Sequence, residues 1–103
     1  MGRWGLVVEE NQGSGEEKMW ALRVLAHVDG TREEALARLE SWARTYRPEH
    51  PRRPGRRLVY RQGEGFLTVT EGRSRDYHCR FGVLELLYDS EAPEPQDGVP
   101  PGY

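Results

Sequence analysis

His78 and Cys79 stand side by side, an imidazole next to a thiol, the pairing that could activate a nucleophile or begin a metal site. The residues around them alternate as a strand does, and neighbours in a strand point to opposite faces, so the two cannot act on one atom. The other histidines, His27 and His50, have no ligand spacing with them. Cys79 is therefore expected as a small buried hydrophobe and His78 as a surface imidazole. Glu85 lies among leucines, where burial could raise a carboxyl pKa and make it an acid or base. The plainer reading is an exposed strand position or a partner for an arginine. Gly13-Ser14-Gly15-Glu16-Glu17-Lys18 has the glycines of a phosphate loop. It lacks the G-x-x-x-x-G-K-[ST] pattern, and two glutamates sit where a phosphate would need amide donors, so it reads as a linker. No catalytic residue, metal site or cofactor is assigned.

Arginine is the most distinctive residue type. Seven arginines (44, 47, 52, 53, 56, 57 and 61) and a single acid, Glu49, fall between positions 44 and 61, a local net charge of +6 in a chain of net −2. Pro48, Pro51 and Pro54 keep the central ones extended. Like charges held close repel, and an anion relieves the repulsion. Tyr60 and Phe66 follow closely, and arginine with aromatics is the composition that grips single-stranded nucleic acid. Arg52, Arg53, Arg56, Arg57 and Arg61 with Tyr60 and Phe66 are the candidate anion-binding residues. Against that reading stand a pI near 5.9 and the lack of any nucleic-acid-binding motif. A solvated basic loop, or one neutralised by the acids Asp89, Glu91, Glu94 and Asp97, is the simpler account. Arginine outnumbers lysine 14 to 1, which also fits a GC-rich coding sequence.

The elements that would position these side chains follow from periodicity. Trp4 to Val8 alternates as a first strand. Lys18 to Val28 predicts a second, central strand with Trp20, Leu22, Val24, Ala26 and Val28 on one face, and Arg23, Leu25 and His27 opposite. Thr31-x-x-Glu34 has the form of a capping box, and Ala35, Leu36, Leu39, Trp42, Ala43 and Tyr46 recur at helical spacing until Pro48. Leu58–Arg61 and Phe66–Thr70 predict a hairpin about Gln62-Gly63-Glu64-Gly65. Tyr77 to Tyr88 predicts a last strand whose apolar face changes sides, by a bulge near Gly82 or by burial on both faces. The fold class is α+β: order ββαβββ, an antiparallel or mixed five-stranded sheet with one helix on one face. Residues 1–88 form the single expected domain, and 89–103 an acidic, Pro/Gly-rich, disordered tail.

At 103 residues with one cysteine, the chain supports one modest core and no internal disulfide. No signal peptide or apolar span is visible, so a cytoplasmic protein without membrane association is expected. Apolar residues on both sheet faces favour a non-enzymatic interaction or regulatory module, acting through a protein partner or self-association as a homodimer. Trp20, Leu84, Leu86 and Tyr88 are the candidate interface. Nucleic-acid or phosphate binding through the arginine-rich loop is the alternative. A small-ligand protein or enzyme with a site between helix and sheet, using Glu85, His27 or His78, is the third.

Overall fold

Trp4, Leu6 and Val8 are alternate residues of a strand, and so share one side of any sheet that it joins. In a computed structural model, which describes residues 2–12, 19–48, 51 and 53–92, that side is the one a helix covers. The elements are β1 (Gly2–Gln12), β2 (Met19–Gly30), α1 (Arg32–Thr45), β3 (Arg57–Gln62), β4 (Gly65–Glu71) and β5 (Asp76–Glu85). They form one five-stranded sheet in the order β2-β1-β5-β4-β3, antiparallel at every pairing. The ββαβββ α+β architecture is thus present. The linker residues 13–18, Arg52 and the tail residues 93–103 lie outside the described residues.

Helix α1 begins as its sequence dictates. Thr31 is the N-cap: its hydroxyl accepts from the Glu34 amide at 3.1 Å, and the Thr31 amide donates to the Glu34 carboxylate at 2.8 Å. Ala35, Leu39 and Ala43 are fully buried along one stripe, and Tyr46 closes the helix as C-cap. They pack on Leu6 and Val8 of β1, Phe66 of β4, and Cys79 and Phe81 of β5. The Tyr46 and Phe81 rings meet edge to face at 5.9 Å. The small side chains at 35 and 43 let the helix approach the sheet closely.

Three expectations are corrected. β2 is an edge strand, and β5 is central: β1 and β2 pair as neighbours, and the α1 crossover carries the chain to the opposite edge, where β3 begins. The alternation within β2 also breaks. Leu6 opposes Ala26 while Val7 opposes Val24, so Leu25 is an extra residue, a β-bulge that reverses the faces on either side of it. Val28, Ala26 and Leu25 pack on the core, whereas Leu22 and Val24 are exposed. Last, β5 runs from Cys79 to Glu85 against β1 in unbroken register past Gly82, so no bulge lies there. The strand stops at Glu85, and Leu86, Leu87 and Tyr88 follow it outside the sheet.

Candidate functional site

Because one helix covers one face, every second residue of five strands is left on the other. Register places Val7 and Glu9 of β1, Leu22, Val24 and His27 of β2, His78, Arg80 and Leu84 of β5, Leu67 and Val69 of β4, and Leu58 and Tyr60 of β3 on this open face. Leu22, Val24, Tyr60 and Leu84 are 58%, 52%, 50% and 55% exposed. The charges among them are already matched within the chain. Arg3 pairs with Asp29 at 2.8 Å, Arg56 with Glu71 at 3.0 Å and Arg80 with Glu9 at 3.7 Å. Such exposed pairs stabilise the fold little, but they leave the face close to neutral.

The face is also hollow. β4 begins at Gly65 opposite Gln62, while β5 runs on to Glu85 beside β1 alone. Glycine at 82 adds no side chain, and Val7 leans over it. A depression of about 490 Å³ results, lined by Val7, Leu22, Gln62, Arg80, Gly82 and Leu84. A second groove, about 290 Å³, lies between α1 and the β3–β4 hairpin, floored by Leu36, Ala37 and Phe66 and rimmed by Glu33, Glu40 and Arg61.

Of the interface residues expected from sequence, Leu84 lies on the open face. Leu86 is half-buried, its amide donating to the Arg3 carbonyl at 2.8 Å. Tyr88 is 67% exposed beyond the strand. Trp20 sits in β2 opposite Asn11; its side chain lies outside the described residues. Leu22, Val24 and Tyr60 were not in the expected interface set. Without the bulge, alternation places Leu22 and Val24 on one face with Ala26 and Val28, which pack on the core.

The arginine loop does not act as one cluster. Arg44 pairs with Glu40 at 2.6 Å, and Arg56 with Glu71. Arg57 is half-buried and donates to the Ala43 carbonyl at 3.2 Å and to the Tyr46 carbonyl, neutralising the negative end of the helix. Arg61 lies at the far end of β3 beside the hairpin. Phe66 is only 8% exposed and belongs to the core, so it offers no ring to a ligand. Arg53 is exposed, and Arg52 lies outside the described residues.

The chemistry-bearing residues stay apart. Cys79 is 5% exposed, and burial, with the nearby Glu10 charge, pushes its thiol up to about 11, so it is a poor nucleophile. His78 and His27 are exposed on the open face with β1 between their strands, and Glu85 is exposed. One polar pair is buried, with an exposed arginine against it, and its signal in the sequence is slight. The Tyr46 hydroxyl donates to Glu10 Oε2 at 2.9 Å, and Arg23 Nη1 donates to the Tyr46 oxygen at 3.3 Å. Burial, then the Glu10 hydrogen bond, raises the Tyr46 phenol to about 12. The alternation Trp4-Leu6-Val8 runs on to Glu10, the one available signal.

Among the described residues, no group of three or more His, Cys, Asp or Glu is placed to hold a metal ion. No helix there is long and apolar enough to cross a membrane. Compared with protein families, curated proteins and solved structures, the chain matches none.

Proposed function

We propose that the chain is a non-enzymatic interaction module whose open sheet face packs against the same face of a second copy. The observation that carries this reading is the half-exposed set Leu22, Val24, Leu84 and Tyr60 on a sheet side that α1 does not cover. Large exposed apolar patches on soluble domains mark interaction sites. A second copy is the favoured occupant because the charges on the face are paired within it. A neutral face meets its own image without repulsion, whereas a strongly charged partner finds no field to recognise. The depression beside Gly82 gives protruding side chains such as Leu22 of the opposite copy a place to seat.

The magnitudes suit a modest dimer. Covering a half-exposed aliphatic side chain is worth about 1 kcal/mol, so four per copy contribute on the order of 8 kcal/mol. Association itself costs about 4–15 kcal/mol. At the low end of that cost these four side chains alone leave about 4 kcal/mol, millimolar self-association, and covering the half-buried Leu58, Leu67 and Val69 beside them brings it toward the micromolar range. The buried free thiol of Cys79 supports a reducing, cytoplasmic setting.

The test is sedimentation velocity across about 1–200 μM protein. The mass should rise with concentration, and Leu22→Glu with Leu84→Glu should hold the protein monomeric with an unchanged melting curve. A wild-type protein that stays monomeric at the highest concentration would sink the proposal.

A further inference from the structure

Three arginine-bearing segments end at one pole of the sheet, the pole at which α1 finishes. They are the helix C-terminus with Arg44 and Arg47, the approach to β3 with Arg53, Arg56 and Arg57, and the β4–β5 turn with Arg73 and Arg75. Backbone bonds lock the last two together: Gly55 N–H donates to the Glu71 carbonyl at 2.7 Å, and Glu71 N–H to the Arg56 carbonyl at 2.8 Å. Sequence alone separates Arg73 and Arg75 from the loop arginines by more than a strand pair.

Two of the acids near this pole are spoken for. Glu40 holds Arg44, and Glu71 holds Arg56. Arg57 is turned onto the helix carbonyls. Arg47, Arg53 and Arg73 are exposed and make no ion pair among the described residues. Arg75 lies over the Tyr77 ring, 4.8 Å from its centroid. Among the described residues the pole thus offers more cations than acids, with Asp76 at the start of β5 as its one further carboxylate, next to a stacked guanidinium and aromatic ring. The opposite pole carries Asp29, Glu33, Glu34, Glu64, Glu85 and Asp89 against Arg3, Arg32 and Arg61, and is net acidic. An overall pI near 5.9 is the average of the two ends and conceals both.

We infer that the basic pole is a binding site for single-stranded nucleic acid: Arg47, Arg53 and Arg73 engage backbone phosphates, and the Arg75–Tyr77 stack receives a base. A phosphate chain fits cations spread over three segments, and a base needs the planar platform, which an acidic peptide would leave unused. This site shares no residue with the exposed apolar set of the open face, so it stands or falls apart from self-association.

The experiment is fluorescence anisotropy with labelled 12-nucleotide single-stranded RNA and DNA. With three to four phosphate contacts, affinity should fall about twenty- to fiftyfold between 50 and 200 mM salt. Arg53→Glu with Arg73→Glu should weaken binding at least tenfold, and Tyr77→Leu should weaken it severalfold with less change in the salt slope. Circular dichroism and sedimentation of each variant confirm that fold and oligomeric state are unaltered. No binding at 50 mM salt, affinity unchanged in the double variant, or equal competition by polyglutamate would each overturn the assignment, the last in favour of an acidic protein.

Discussion

Glu10 is a carboxylate on the inner face of a sheet, 7% exposed, and a buried charge without partners costs several kcal/mol. Tyr46 answers it from the helix cap, and Arg23 adds a cation across the hydroxyl. The trio ties β1, β2 and the end of α1 together at one point. Tyr46→Phe removes the donor but keeps the ring on Phe81, so it should lower stability by about 1–3 kcal/mol, read in urea titrations. The same residues set an alkaline limit. Cys79 and Tyr46 keep their protons to about 11 and about 12 in the folded chain, whereas the unfolded groups release them from about 9 and about 10. Above pH 9 the unfolded state therefore binds fewer protons than the native one, and stability declines as pH rises toward 12. Thermal melts from pH 8 to 11.5 should show this, with the decline starting about one unit later in Cys79→Ala. An identical profile in that variant would mean that the thiol is not what titrates.

At the scale of elements, the helix was legible because its signals are local: the Thr31–Glu34 box at one end, a single apolar stripe, and Pro48 just beyond the other end, where the helix stops at Thr45 and Tyr46 caps it. The β3–β4 hairpin was legible for the same reason. Gly63 takes φ +57 at the first loop position, with no positive φ at Glu64, the sign pattern of a type II′ turn. Gly65 is needed for a different cause, since a Cβ there would fall 2.2 Å from the Phe81 carbonyl oxygen. Gly65→Ala should therefore push the hairpin off β5 and destabilise the fold by about 1–3 kcal/mol. Amide exchange should rise first in Leu58–Thr70; protection equal to wild type there would contradict the close approach. Strand order was not legible, because whether a strand is central or at an edge depends on non-local pairing. A single inserted residue likewise leaves the composition of β2 unchanged while exchanging its faces. For the candidate sites, Leu84 and Arg53 could be named from sequence, and Tyr60 only for anion binding, whereas Phe66 and Arg57 were drawn into packing and capping. Arg73, Arg75 and Tyr77 were missed because only the folded sheet brings them to the loop.

As a whole molecule, the chain keeps an apolar surface on a sheet face and a group of unpaired cations at a sheet end, so two partners could be held without competing for the same side chains. It also carries a hazard. β2 is a 12-residue edge strand with Leu22, Val24, Leu25 and Val28, no proline and no acid before Asp29. An edge of that kind, if flat, is a template on which further chains can add strand by strand into fibres. Leu25 prevents the flatness: the extra residue kinks the edge midway, so an incoming straight strand can match either half but not both. Deleting Leu25 should restore a continuous edge, and thioflavin-positive fibrils should then form from protein at concentrations at which the wild type stays clear. The residue that concealed the true faces of β2 would, on this account, be what keeps the protein from amyloid.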